Sequence, residues 1–217
     1  MGNFDRLNNE VLRDLKKCKE NKTCIALTCR GYYFEPNPYT LDAWQKQGLY
    51  KKGIDGRAIF VCESPGGSNR LLKDDPTIAR CWDETGNNIR FLEVRKKYGL
   101  ENCFVTNVVK CGVRPNNNKH SPEEINNCSK FLKKEIEIIQ PEVVVAVGRE
   151  AERILRKYYI KFLESQGCGW HRISHYAFRD GIEALWDNWD RQFQELKNKI
   201  SPVPKFIPIN FSQNPRR

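Results

Sequence analysis

The candidate chemistry of this chain begins at Glu63, which directly follows a short apolar run over residues 58–62. An apolar run of this length, bounded by a turn, predicts a buried strand. The loop after it reads ESPGGSNR, and its glycines let the backbone approach a ligand without a Cβ in the way. Loop N–H groups, together with Ser68, Asn69 and Arg70, suit an anion or a polar ring edge. The alternative is an ordinary strand-to-loop turn with an exposed glutamate.

A second stretch has the same design. Residues 103–106 form another strand-like run, and Asn107 ends it. Open α/β sheets bind ligands at the carboxyl ends of their strands. If the two strands are neighbours, Glu63 and Asn107 therefore lie over one pocket.

The elements that must position these residues alternate between strands and helices, which predicts a parallel sheet with helices on both faces. Ser121, Pro122 and Glu124 form a capping-box signature for one of the helices. Predicted strands cover residues 58–62, 103–106, 143–147 and 205–209; predicted helices cover 4–20, 86–98, 122–139, 149–162 and 182–199. Segments 31–56 and 167–181 read as irregular. We expect a single three-layer α/β/α domain over residues 1–217 with a mostly parallel four-stranded sheet, on which residues 1–56 pack as an N-terminal helix and a cysteine-bearing segment.

Composition narrows the class of partner. The chain has 217 residues and a formal net charge of +10, so its partner is expected to be anionic, either nucleic acid or an acidic membrane surface. No apolar run reaches the length of a membrane span, and the charged N-terminus does not resemble a signal peptide. Nine cysteines without a secretory signal indicate metal binding, catalysis or burial rather than a disulfide framework.

The motifs resemble those of the uracil-DNA glycosylase superfamily. Glu-Ser-Pro-Gly after a strand is similar to that family's Gly-Glu-Ala-Pro-Gly motif, with Cys62 in place of the first glycine. Four further segments resemble the iron–sulfur branches of the superfamily, families 4 and 5: TNVVKC from Thr106, RPNN from Arg114, SPEEI from Ser121 and QPEVVVAVGR from Gln140. The resemblance covers about residues 57–157.

The resemblance implies a monofunctional DNA repair glycosylase that flips uracil, or another deaminated base, out of DNA and hydrolyses its N-glycosidic bond. Glu63 then positions water or offsets the charge of an oxocarbenium-like sugar, and Asn107 reads the base with its amide. Trp82 stands where the family stacks an aromatic ring on the base, although a core tryptophan is the alternative. The remaining implied contacts are Ser64, Gly66 and Ser212 with the substrate, Ser68, Asn69, Arg70, Phe211 and Arg216 with DNA, and Lys110, Arg114 and Lys119 with phosphates.

The family's third motif, a histidine followed by Pro-Ser or Val-Ser, has two candidate positions. Asn210-Phe211-Ser212 follows the predicted strand at 205–209, so asparagine replaces histidine there and Phe211 becomes a wedge into the base stack. His175 is the other candidate, but no strand is predicted before it. We expect Asn210 to take the catalytic role.

Four cysteines are implied as ligands of a [4Fe–4S] cluster: Cys18, Cys24, Cys111 and Cys128. Thiolates are what both iron–sulfur clusters and zinc require. The family separates its two N-terminal ligands by two residues, whereas five separate Cys18 from Cys24, and Cys29 is a rival to Cys18. Simple burial of these thiols is the alternative. The other cysteines, Cys62, Cys81, Cys103 and Cys168, are expected only to pack.

The resemblance implies a protein acting on DNA and not on a membrane, as a monomer in the cytoplasm, associated with the nucleoid. Two rival functions remain open. One is a non-catalytic, cluster-containing DNA-binding member of the fold, and the other is a glycosylase for hypoxanthine or xanthine.

Overall fold

A computed structural model describes residues 6–12, 14, 53–64, 86–110, 120–175 and 182–207. Its strands are β1 (Ile54–Cys62), β2 (Cys103–Asn107), β3 (Val143–Val147), β4 (Gly169–Ile173) and β5 (Phe206–Ile207). Its helices are α1 (Gly86–Lys97), α2 (Pro122–Ile139), α3 (Arg149–Tyr158), α4 (Ile160–Ser165) and α5 (Ile182–Lys197), preceded by a short π-helix, Leu7–Leu12. Among the described residues, no helix is long and apolar enough to span a membrane.

The sheet has the strand order β2-β1-β3-β4, and these four strands are parallel. β5 is antiparallel and pairs with the beginning of β1, where Ile54 faces Ile207. β1 and β3 are buried along their whole length, and residues 58–62 of β1 and the whole of β3 read as unbroken apolar runs in the sequence.

Alternate side chains of the strands enter two separate cores, which gives the fold three layers. Ile59 and Val61 of β1 pack with α2, α3, α4 and the π-helix. Ala58 and Phe60 pack with α1 and α5, where Phe60 stacks on Phe193 with ring centroids 5.9 Å apart. The predicted α/β/α fold with a mostly parallel sheet is therefore confirmed.

Helix α2 begins as its sequence predicts. Ser121 is the N-cap: its hydroxyl accepts a hydrogen bond from the Glu124 N–H at 3.1 Å, and the Glu124 carboxylate accepts one from the Ser121 N–H at 2.8 Å. Pro122 lies in the first turn, where its missing N–H costs nothing. The capping box thus fixes the residue at which α2 begins.

The fourth parallel strand was predicted at the wrong place. Residues 167–181 were expected to be irregular, but β4 occupies Gly169–Ile173 at the edge of the sheet. An edge strand is only partly buried, so it alternates polar with apolar residues and shows no apolar run. The predicted strand at 205–209 corresponds to β5, which is two residues long in the described part of the chain and antiparallel.

Other boundaries also differ from the prediction. β1 begins at Ile54, inside the segment expected to be irregular. Its first residues include Asp55 and Arg57, which are both buried and form an ion pair at 2.6 Å. The helix predicted over 149–162 is divided at Tyr159 into α3 and α4. Within the helix predicted over 4–20, Leu7 and Val11 are buried as expected.

Candidate active site

Glu63 and Asn107 lie next to each other at the carboxyl edge of the sheet. Cys62 and Asn107 are paired residues of β1 and β2. Beyond the ladder, the Val108 N–H donates to the Cys62 carbonyl at 2.8 Å and the Val109 N–H donates to the Glu63 carbonyl at 2.9 Å. The two sequence motifs are therefore joined by backbone hydrogen bonds, as expected for neighbouring parallel strands.

The Glu63 carboxylate is half-buried at the end of β1. Burial raises the pKa of Glu63 above its ordinary value, and the nearby Glu150 carboxylate raises this pKa further. Arg153 opposes this rise, and it is itself bound to Glu150 at 2.6 Å. Glu63 is thus a partly desolvated carboxylate whose charge is tuned by the first turns of α3.

Asn107 is the last residue of β2 and is only 4% exposed. A buried amide at the open edge of a sheet has both donor and acceptor capacity in a place where ligands bind. Ser64 follows Glu63 and is half-buried.

His175 lies at the same edge, two residues after the end of β4. The Gly148 N–H, just after β3, donates to the Ile173 carbonyl at 2.9 Å and so fixes the two strand ends together. A Cβ built on Gly148 would lie only 3.0 Å from the His175 Cβ, so the histidine packs directly on the glycine backbone. Burial lowers the pKa of His175, which keeps its imidazole neutral near pH 7.

Three charged or titratable residues of this edge were not singled out from the sequence. Glu150 and Arg153 belong to α3, and His120 precedes α2, with its Nδ1 3.5 Å from a Glu124 oxygen. His120 is buried, and burial lowers its pKa while Glu124 and Glu150 act in the opposite direction. Glu150 could have been predicted as a site residue, because it lies two positions after Gly148, where α3 starts beside the ligand-binding edge of the sheet. Nothing in the sequence around His120 indicates that it would be buried.

The expected phosphate contact of Lys110 is wrong. Lys110 is 1% exposed, and its Nζ lies 2.7 Å from a Glu135 oxygen and 2.7 Å from the Thr106 hydroxyl. A buried carboxylate opposite it removes any need for an external anion.

Of the predicted cluster ligands, the structure describes Cys128, which is buried on α2. Cys62 and Cys103 pack in the core as expected, and Cys168 is half-buried with its Sγ 3.1 Å from the Pro141 carbonyl oxygen. No group of three metal-binding side chains occurs among the described residues. The remaining predicted site residues lie outside the described part of the chain, namely Cys18, Cys24, Cys29, Cys81, Cys111, Gly66, Ser68, Asn69, Arg70, Trp82, Arg114, Lys119, Asn210, Phe211, Ser212 and Arg216.

The chain is similar to several proteins of known class. It is 32% identical to the type-4 uracil-DNA glycosylase of Archaeoglobus fulgidus over 45% of this chain and 46% of that protein. It is 37% identical to the type-4 enzyme of Thermotoga maritima over 45% of this chain and 48% of that protein. It is 29% identical to the type-4 enzyme of Saccharolobus solfataricus over 77% of this chain and 65% of that protein. The matched part of the chain thus spans about half the length of the first two relatives.

A family model described as the uracil DNA glycosylase superfamily matches residues 31–205. This range includes the carboxyl ends of the four parallel strands, at Cys62, Asn107, Val147 and Ile173. This match takes in more than half of the chain and agrees with the parallel sheet. The chain belongs to the uracil DNA glycosylase superfamily.

Proposed function

We propose that this protein is a DNA glycosylase that removes uracil from DNA by hydrolysing its N-glycosidic bond. The observation that carries the proposal is the pairing of Cys62 with Asn107, which places half-buried Glu63 and buried Asn107 at the carboxyl ends of neighbouring parallel strands. A carboxylate and an amide at one pocket are the two groups that base recognition and water-assisted cleavage need.

The base is read outside the duplex. A nucleotide within a helix hides its Watson–Crick edge, so the enzyme flips it into the pocket, where the Asn107 amide donates to one uracil oxygen and accepts from N3–H. Ser64 and Gly66 line this pocket, and Trp82 stacks on the base. Ser212 completes the substrate contacts.

Bond cleavage leaves a sugar cation and a uracil anion, and different groups stabilise each of them. The Glu63 carboxylate offsets the sugar charge and orients the water that adds to the sugar carbon. We assign His175, rather than Asn210, to the departing base, because β4 ends two residues before His175 while β5 runs antiparallel to the other strands. A neutral His175 donates a hydrogen bond to the uracil oxygen without carrying a proton away.

DNA is a polyanionic partner, which is the kind of partner that the net charge of +10 predicts. Ser68, Asn69 and Arg70 follow the Glu63 motif and contact the phosphates next to the flipped nucleotide. Phe211 fills the space that the base leaves in the stack, and Arg216 adds a further phosphate contact.

A [4Fe–4S] cluster held by Cys18, Cys24, Cys111 and Cys128 fits the described surroundings. Lys110, the residue before Cys111, is bound to Glu135, which lies two helical turns after Cys128 on α2. The π-helix that precedes Cys18 also packs on α2, where Glu10 contacts Lys134 at 3.0 Å. The cluster would supply structural cross-linking between the N-terminal segment and α2.

We further propose that residues 1–217 form one domain that acts as a monomer in the cytoplasm, on the DNA of the nucleoid. Excision requires no second catalytic centre, because Glu63, Asn107 and His175 come from one sheet.

A gel assay on labelled oligonucleotides tests the function. Substrates carrying uracil, hypoxanthine or xanthine are incubated with the protein, and each sample is divided between alkali and neutral buffer. Alkali-dependent cleavage of the uracil strand is expected. Cleavage of only the hypoxanthine or xanthine strand would indicate the purine-specific alternative, and binding of DNA without any excision would indicate the non-catalytic one. Strand cleavage without alkali would exclude a monofunctional enzyme.

A further inference from the structure

A buried polar network joins the end of β2 and the residues after it to α2. Lys110 and Glu135 have fully buried side chains, and their charged atoms are 2.7 Å apart. The Thr106 hydroxyl accepts a hydrogen bond from Lys110 at 2.7 Å and donates one to the same Glu135 oxygen at 3.0 Å. Thr106 directly precedes the base-reading Asn107 and Lys110 follows it by three residues, while Glu135 belongs to α2.

The network is expected to add little to the free energy of unfolding. Taking two charges out of water costs more than an apolar pair of the same shape, and the mutual attraction often only offsets this cost. Here the second Glu135 oxygen and the nearby Tyr159 hydroxyl are also buried without a hydrogen-bond partner among the described residues. A buried ion pair of this kind is suited to fixing local geometry, as buried polar groups do in some other proteins.

The geometry that it fixes is that of the catalytic edge. After Asn107, the N–H groups of Val108 and Val109 bond to the carbonyls of Cys62 and Glu63, and Lys110 then ties the end of this segment to α2. The segment 107–110 therefore connects three parts of the molecule: the base-reading amide, the backbone of Glu63 and the long helix α2.

We infer that Lys110 and Glu135 are positioning residues, whose ion pair holds segment 107–110 against α2 and so sets Asn107 and Glu63 in the geometry needed for excision. This inference rests on the proposed glycosylase function. It gives the buried lysine a role in recognition and catalysis although its side chain touches neither the base nor a phosphate.

The test replaces the network with apolar side chains of similar shape, in the triple variant Thr106→Val, Lys110→Met and Glu135→Met. The matched control is Asp55→Leu with Arg57→Met, which removes a second buried ion pair, with a 2.6 Å contact, at the opposite end of β1. For wild type and both variants, one measures thermal unfolding, single-turnover excision of uracil, and affinity for DNA carrying either a non-cleavable uracil analogue or no lesion.

The triple variant is expected to be folded and to bind undamaged DNA like the wild type. Its excision rate per folded molecule should fall about tenfold to a hundredfold, because a displacement of the order of 1 Å at reacting groups has effects of that size. Its preference for the uracil analogue over undamaged DNA should shrink in parallel, and the control should keep both rate and preference. An unchanged rate and preference in the folded triple variant would overturn the inference, as would equal losses in the control.

If the triple variant does not fold, Thr106→Val alone decides the matter. This change removes two hydrogen bonds from the network but keeps both charges and the shape of the side chain. A smaller but measurable loss of rate and preference supports the inference, and wild-type values contradict it. If wild type itself fails to excise uracil, the proposed function is at fault rather than the positioning role.

Discussion

Gly148 offers a way to displace His175 without altering its chemistry. The glycine has φ 92° and ψ 168°, a region of backbone conformation that is essentially restricted to glycine. A Cβ added there would lie 3.0 Å from the His175 Cβ and 3.3 Å from its Cδ2. Because carbon atoms prefer separations of about 3.5–4.0 Å, the imidazole in Gly148→Ala must move by roughly 0.5 Å.

Two effects of Gly148→Ala can be separated by size and by assay. Backbone strain should lower the free energy of unfolding by about 1–3 kcal/mol. Displacement of His175 from the leaving base should lower single-turnover uracil excision by roughly tenfold, less than the loss expected for a full ångström. Affinity for undamaged DNA should not change, since that binding depends on phosphate contacts.

Gly167→Ala is the matched control. Gly167 has φ 66°, so alanine there is also strained, but no atom lies within 4 Å of the added Cβ. The control should lose stability and keep its excision rate per folded molecule. Wild-type excision by folded Gly148→Ala would refute the role of His175, and equal losses in both variants would attribute the effect to strain alone.

Three further changes test separate parts of the site. Glu150→Gln removes a negative charge that raises the pKa of Glu63, and it also frees Arg153, whose positive charge lowers the pKa of Glu63. The acid limb of the pH–rate profile should therefore move to lower pH. An unmoved limb would show that Glu63 is not the titrating group. Asn107→Ala should cost ~1–3 kcal/mol in binding of the flipped base, or about tenfold to a hundredfold in excision, and should blur discrimination among bases; unchanged discrimination would contradict its reading role. Cys128→Ala should abolish bound iron and the absorption near ~400 nm of anaerobically purified protein, while the buried control Cys103→Ala keeps both; iron retained by the Cys128 variant would exclude it as a ligand.

The sequence predicts the centre of this fold well because the central strands are buried on both faces. Residues 58–62 of β1 and the whole of β3 appear as apolar runs, and the capping box at Ser121 marks the start of α2 with local interactions alone. Glu63 and Asn107 could be placed together because strand ends of a parallel sheet share one edge.

The sequence predicts the edge of the sheet poorly because an edge strand is only partly buried. β4 alternates half-exposed Trp170 and Arg172 with buried His171 and Ile173, so no apolar run marks it. Because the sequence does not predict β4, no strand is predicted before His175, and Asn210 becomes the expected catalytic residue of the third motif.

The burial of Lys110 could not be predicted either. A lysine beside a DNA-binding motif normally faces solvent. Its environment depends on Glu135, which lies 25 residues further along the chain on another element. Such a contact exists only once α2 has packed on the sheet, and no local pattern records it.

The most direct measurement of the central claim compares binding with cleavage in Glu63→Gln. The substitution keeps the shape of the side chain and removes the charge that we assign to the sugar cation and to water. We predict wild-type affinity for DNA carrying a non-cleavable uracil analogue, together with a single-turnover excision rate at least tenfold below that of wild type. Excision at the wild-type rate would contradict the account, since the half-buried carboxylate at the end of β1 would then have no part in breaking the glycosidic bond.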